Sequence, residues 1–315
     1  SVPSRGDHVP ALAGTAEMQA LQQILRESSD IVEVYRVTDC RDPYLGEGLR
    51  LYEAMIPENE RGLNATECIR DFQDTIRFRA LGEWQFDGHY FIAKWKAQVY
   101  GIVMLFTNPK ESFAILSYVA VKKRNGLSRD CLLAFIFLKV SMILEDSKFG
   151  CLDEFFLELD DPQCTDDDGE RRRRLTRIDR FSEVCQQHGR SLRFFAFDYH
   201  PTAMGTNIPH VGEEEPMLLG YASRERNSHV DGGMVCRVLR LIYTLNGECR
   251  IDDPSTEKHY HHYLDELCVS ECVRVPARVQ LLNNRQIREY IERGESYRFH
   301  EEPPSDTTET GNSIT

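Results

Sequence analysis

The alternation of apolar and polar positions predicts a sheet protein with helices between and after its strands. Strand patterns occur at 31–37, 90–95, 99–106, 113–121, 154–159, 192–199 and 217–222. Helical spacing of apolar residues occurs at 16–27, 45–55, 129–144, 171–188, 234–243 and 257–272, and a last helix is expected after Pro276, running through 286–292. The second, third and fourth strands follow one another without a helix. This order favours an antiparallel meander over a doubly wound parallel sheet.

The stretch at 112–144 joins an apolar strand to a long apolar helix through a short basic turn, residues 122–128, which holds Gly126. Such a turn aims unpaired backbone N–H groups and the positive end of the helix dipole at one point, which suits a phosphate. The turn lacks the G-K-[ST] ending of a P-loop and the paired glycines of a dinucleotide fingerprint. A different class of phosphate site is therefore expected.

Residues 123–128, KRNGLS, resemble the [R/Q]-x-x-G-x-[G/A] signature with which the GCN5-related N-acetyltransferase (GNAT) superfamily holds the pyrophosphate of acetyl-CoA. Lys123 stands in place of Arg or Gln, and Ser128 in place of the second Gly or Ala. The segment 51–61, LYEAMIPENER, is similar to a segment that lines the acceptor side in the same family, and Tyr199-His200-Pro201 fits a frequent Tyr-x-Pro. The resemblance spans about 31–224.

The resemblance implies an α/β (α+β) fold with a central mixed, mostly antiparallel sheet flanked by helices. The expected organisation is an N-terminal arm and helix at 1–30, an acyl-CoA-binding domain at 31–228, a C-terminal helical extension at 229–297 and a disordered tail at 298–315, which is rich in Pro, Thr and Glu. The extension lies outside the resemblance. It could pad the core, cover the acceptor site or form a homodimer contact.

The activity implied by the resemblance is transfer of an acetyl or other acyl group from acyl-CoA to an amine. The backbone of Val119 is expected to polarise the thioester carbonyl, and that of Val119 and Val121 to pair with the pantetheine arm. The pyrophosphate is expected over the turn residues Lys123, Arg124, Asn125, Gly126, Leu127 and Ser128.

Three side chains are candidates for the chemistry. An alkyl ammonium must lose a proton before it attacks. The resemblance implies Glu158 as the base, because relatives often carry a Glu at the end of the strand beside the central one. A strand carboxylate that faces solvent or pairs with Arg193 is the alternative. Tyr199 is the expected acid for the leaving thiolate. The alternative is a tyrosine that only packs in a strand. Glu53 is expected to contact the acceptor, unless it is an ordinary exposed helix carboxylate.

Composition narrows the expected partners. With 51 acidic and 38 basic residues the net charge is -13, which argues against nucleic acid and anionic membrane. The charge is compatible with an amine acceptor, a small molecule or a peptide, although many cytosolic proteins are equally acidic. The 10 cysteines include no CxxC pair and are interpreted as reduced thiols in a cytoplasmic protein. Cys268 and Cys272 could bind a metal with His261 and His262, but a structural role is favoured and no metal is expected.

Two other functions remain open at this level. A non-catalytic sensor would bind acyl-CoA and report it through the C-terminal helices. An interaction module would have lost phosphate binding, which the departures at Lys123 and Ser128 allow. Small amines, antibiotics, peptide N-termini and protein lysines all remain candidate acceptors.

Overall fold

A twisted sheet forms the middle layer of the protein. The computed structural model describes residues 32–56, 64–66, 68–70, 72–73, 86–124, 129–146, 154–201, 215–248 and 254–298. Within them the strands are β1 (Glu33–Arg36), β2 (Asp87–Trp95), β3 (Gln98–Asn108), β4 (Phe113–Val121), β5 (Glu154–Asp160), β6 (Ser191–Phe195), β7 (Met217–Ser223), β8 (His229–Asp231) and β9 (Arg278–Leu282). The helices are α1 (Leu45–Met55), α2 (Arg129–Asp146), α3 (Asp168–Gln187), α4 (Gly232–Glu248), α5 (Pro254–Val273) and α6 (Asn284–Arg293).

The strand order is β1-β2-β3-β4-β5-β7-β6-β9-β8. Among the described strands, β4 and β5 are the parallel neighbours, and the other neighbouring pairs are antiparallel. The first four strands form the expected meander, and α2 makes the crossover that a parallel pair requires. A mixed, mostly antiparallel sheet flanked by helices confirms the expected fold class.

Each face of the sheet packs against its own set of helices, because successive strand residues point to opposite faces. Val103 and Leu105 of β3 face a core that includes α2, α3 and α6. Ile102 and Met104, which alternate with them, face α1. On that same face α4 and α5 cover β5, β7 and β9, where Phe156 is fully buried. The face that carries Phe156 is therefore divided between α1 and the C-terminal helices.

The C-terminal extension differs from the helical extension that the sequence predicts. The segment after Pro276 begins as β9, which pairs with β6, and α6 begins only at Asn284. Val279 and Leu281 are buried and alternate with more exposed residues, a period of two that fits a strand. Asn283 then forms a capping box that fixes the start of α6.

Two further boundaries are corrected by the structure. β6 ends at Phe195, not at 199, and Tyr199 forms an isolated bridge with Met217. Arg298, expected to begin the disordered tail, pairs with the buried carboxylate of Asp161, so this residue belongs to the folded part. The helix predicted at 16–27 and the tail from 299 lie outside the described residues.

Gly232, at the start of α4, allows close contact between α4 and the segment before β9. Its N–H donates to the carbonyl of Ala277 at 2.9 Å, and a Cβ on this residue would lie 2.2 Å from the carbonyl oxygen of Pro276. Gly232→Ala is therefore expected to lower the free energy of unfolding by about 1–3 kcal/mol, because backbone must move to accept the methyl group. Urea unfolding measures the change.

Gly46→Ala is the matched control, since its Cβ would meet nothing closer than Arg50 Nη1 at 3.9 Å. There the helix propensity of Ala is expected to leave stability equal or slightly higher. Equal stability of the two variants would show that α4 does not depend on this close approach.

Candidate functional site

The parallel pairing of β4 with β5 is short, and a wedge opens where it ends. Pairing runs from Phe113 with Glu154 to Leu116 with Leu157 and includes no later residue of β4 in the described chain. Ser117 is an extra residue in β4, because Leu116 pairs with Leu105 of β3 and Tyr118 with Met104. Such a bulge bends the strand and increases its twist. The two strands therefore diverge from Ser117 and Glu158 onward.

The backbone of Val119 and Val121 faces this wedge. The N–H of Lys122 donates to the carbonyl of Tyr100 at 2.9 Å, so Lys122 and Tyr100 form a hydrogen-bonded pair. Such pairs alternate along an antiparallel ladder, so Ala120 also turns its backbone groups toward β3. Val119 and Val121 turn theirs to the opposite side, where β5 has diverged. Their N–H and C=O groups have the orientation that the predicted pairing with an extended pantetheine arm requires.

Glu158 lies at the apex of the wedge, since it directly follows the last β5 residue that pairs with β4. Its carboxylate accepts a hydrogen bond from the hydroxyl of Tyr199. The two predicted catalytic residues, 41 positions apart in the chain, are thus in direct contact. Glu158 remains partly accessible, whereas Tyr199 is 1% exposed. Arg193, the alternative partner that the sequence offers for Glu158, donates from its Nε to Ser191 Oγ at 3.3 Å.

Burial changes the proton affinity of both groups. It raises the pKa of Glu158, and the hydrogen bond from Tyr199 offsets part of that rise. Burial raises the pKa of Tyr199 well above its usual value of about 10, and the adjacent charge of Glu158 raises it further. The phenol therefore stays protonated at neutral pH, while the carboxylate is a stronger base than an exposed glutamate.

The wedge lies on the sheet face where the part covered by α1 meets the part covered by α4. Tyr118 of β4 is partly exposed on this face, and its ring lies 5.0 Å from that of Tyr52 of α1, edge to face. Tyr199 packs in the core beneath α4.

The start of the phosphate turn is described only in part. Lys123 is exposed, and the guanidinium of Arg124 lies 4.2 Å from the ring centroid of Trp95. Lys122 Nζ lies 5.0 Å from the ring centroid of Tyr100. Asn125, Gly126, Leu127 and Ser128 lie outside the described residues, so pyrophosphate binding by 123–128 stays a prediction.

Glu53 has a partner within the protein. Its Oε1 accepts a hydrogen bond of 2.8 Å from the backbone N–H of Ala65. The carboxylate thus connects α1 to the helical residues that begin at Ala65. This contact accounts for a carboxylate at this position, and contact with an acceptor stays a prediction.

Tyr243 is a functional candidate that the sequence did not indicate. Its side chain is completely buried in α4, and its hydroxyl donates to the carbonyl of His200 at 3.1 Å, next to Tyr199. Tyr243 lies outside the family resemblance and 43 residues from its partner. No local pattern connects the two.

The described ranges contain neither a metal-ligand cluster nor a membrane-spanning helix. There, no three His, Cys, Asp or Glu side chains come together as a metal site. None of the helices in the same ranges is both long and apolar enough to span a bilayer.

Comparison with known proteins gives likeness of fold at low sequence identity. No family model and no curated relative match the sequence. The aminoglycoside 6′-acetyltransferase type Ii is 13% identical, with a TM-score of 0.37 over 62% of this chain and 99% of that chain. A Bacillus subtilis acetyltransferase in complex with CoA is 11% identical, with a TM-score of 0.31 over 60% and 97%. The AHL synthase LasI is 11% identical, with a TM-score of 0.32 over 61% and 89%. Scores this low assign no function.

Glu158→Gln is expected to raise the free energy of unfolding, and more so at neutral than at acidic pH. Because burial raises the folded-state pKa of Glu158, the unfolded chain loses this proton first as the pH rises. The stability that the protonated carboxyl contributes is complete below the unfolded pKa, about 4.3, and is lost as the pH rises through the folded pKa. Urea unfolding of both proteins across this range measures the difference. A difference that is constant with pH would contradict the raised pKa.

Proposed function

We propose that the protein is an acyltransferase that moves an acetyl or other acyl group from acyl-CoA to an amine. The observation that carries the proposal is the Glu158–Tyr199 pair at the apex of the β4–β5 wedge. A carboxylate of raised proton affinity, hydrogen-bonded to a protonated phenol, supplies a base and an acid at one point. The backbone of Val119 faces the same wedge. These groups suit direct transfer from a thioester.

The donor is expected to lie along β4 with its thioester near the apex. The N–H of Val119 can then donate to the carbonyl oxygen as negative charge develops on it. Val121 extends the pairing along the arm, and the pyrophosphate lies over the turn that begins at Lys123. Holding both reactants in the wedge lowers the barrier by removing the entropy cost of their encounter.

In the proposed reaction, Glu158 accepts protons from the acceptor and Tyr199 donates one to the leaving thiolate. The acceptor ammonium first gives one proton to Glu158, which passes it to solvent. As the free amine then attacks, a C–N bond forms, the carbonyl becomes an oxyanion, and Glu158 accepts the second amine proton. The C–S bond then breaks, and the thiolate takes the proton of Tyr199. The hydrogen bond between Tyr199 and Glu158 allows the carboxyl group to return a proton to the phenolate. The products are an amide and a free thiol, and both side chains regain their starting protonation.

Thiol release is the test of this function. The full chain is mixed with acetyl-CoA and a panel of small amines and peptides, while calorimetry measures acetyl-CoA affinity. Amine-dependent release of thiol is expected. Binding without release would favour the acyl-CoA sensor, and a lack of binding would favour the interaction module.

The pH dependence of kcat/KM tests the assigned roles, with a peptide α-amine, pKa about 8, as acceptor. Glu158→Gln is expected to lower the rate by about 10²–10⁴-fold at neutral pH and by less at alkaline pH, where more amine is already free. Tyr199→Phe removes a hydrogen bond that lowers the pKa of Glu158, so the acid limb of its profile should move to higher pH.

Donor affinity should change little in either variant, since the proposal binds the donor through the backbone of β4 and the turn that begins at Lys123, not through these two side chains. Profiles that coincide with the parent in position and height would remove both residues from the mechanism.

A further inference from the structure

We infer that the C-terminal part of the chain, residues 229–298, completes the transfer site, and that Tyr243 is a positioning residue for Tyr199. The inference rests on the proposed function, because it concerns the acid of that same site. It assigns a role to a part of the chain that the family resemblance does not reach. The inference is based on the hydrogen bonds and the ion pair that hold residues 196–200, here called the acid segment.

The acid segment directly follows β6, contains Tyr199 and is anchored at three residues. At Ala196 the N–H donates to the carbonyl of Gln280 in β9 at 2.9 Å. At Asp198 the carboxylate pairs with Arg274, just beyond α5, at 3.1 Å. At His200 the carbonyl accepts from Tyr243 of α4 at 3.1 Å. Alternate residues of the segment are thus held by β9, by the end of α5 and by α4.

Tyr199 lies between these anchors, and its own hydrogen bonds are to residues within the stretch that the family resemblance covers, about 31–224. Its carbonyl accepts from the N–H of Met217 in β7 at 3.0 Å, and its hydroxyl donates to Glu158. The hydrogen bonds on its two sides come from the C-terminal part. The position of the phenol relative to Glu158 therefore depends on where α4, α5 and β9 hold the acid segment.

Tyr243 is the anchor nearest to the phenol. Val238, Leu239 and Ile242 of α4 are completely buried beside it, so the ring has a fixed place in the core. Its hydroxyl contacts a backbone carbonyl and not a reacting group, so it acts through Tyr199. Burial raises the pKa of Tyr243 above its usual range, which keeps the hydroxyl a donor.

Loss of this hydrogen bond should release the carbonyl of His200 and let Tyr199 shift relative to Glu158. Since a displacement of about 1 Å can cost up to about 10²-fold in rate, Tyr243→Phe is expected to lower kcat by about 10- to 100-fold. Acetyl-CoA affinity should stay unchanged, because the donor lies along β4. A role in stability alone would leave kcat of the folded fraction unchanged.

The experiment is a double-mutant cycle with Tyr199→Phe. If Tyr243 acts through the phenol of Tyr199, the double variant is expected to have the kcat of Tyr199→Phe alone. Tyr90→Phe is the control, since Tyr90 is also buried and its hydroxyl donates to a backbone carbonyl, that of Cys68, at 3.3 Å. It should lose a comparable amount of stability and keep its kcat. An unchanged kcat in Tyr243→Phe, or losses that multiply in the double variant, would overturn the inference and leave the proposed function standing.

A second readout does not need turnover. In protein labelled with ¹³C at the tyrosine Cζ carbon, the Tyr199 resonance is identified by its loss in Tyr199→Phe. It is expected to shift in Tyr243→Phe and not in Tyr90→Phe. If the parent releases no thiol, the proposed function fails, and this shift still decides whether Tyr243 positions Tyr199. An unmoved resonance would overturn the inference.

Discussion

The site depends on one constraint, the end of β4–β5 pairing after Leu116 and Leu157. Two adjacent strands that stop pairing inside a sheet leave N–H and C=O groups that must find other partners. An extended ligand with alternating donors and acceptors, such as the pantetheine arm of the proposed donor, can supply several of them at once. The bulge at Ser117 and the crossover through α2 both serve this geometry, because one bends β4 away and the other brings β5 in parallel.

The same divergence explains why a carboxylate is tolerated at the apex. Glu158 directly follows the last β5 residue that pairs with β4, and its carboxylate has the hydroxyl of Tyr199 as a hydrogen-bond donor. Its raised pKa means that the folded state binds this proton more tightly than the unfolded state does. The function proposed above requires a base at this position, and a carboxylate of raised proton affinity fits that role.

Local patterns were sufficient for most of the fold and for part of the site. Periodicity located β1–β5, and the family resemblance suggested Glu158 and Tyr199 as separate candidates. Their contact could not be predicted, because it depends on the order of β5, β7 and β6 in the sheet. The sequence predicts a helix where β9 lies, because a short apolar run fits a helix or a strand equally well, and only the pairing with β6 distinguishes them. The contact of Tyr243 with His200 is a tertiary feature with no counterpart in local sequence.

The C-terminal part resolves two structural requirements at once. Without β9, β6 would be an open edge that exposes unpaired backbone groups, a hazard for aggregation. Without α4 and the end of α5, the acid segment would lose the hydrogen bond from Tyr243 and the ion pair with Arg274. A single packed unit closes the edge and fixes the phenol. The family resemblance ends near residue 224, but the sheet continues through β9 to Leu282 and the folded part to Arg298, so the folded unit is longer than the segment that the resemblance covers.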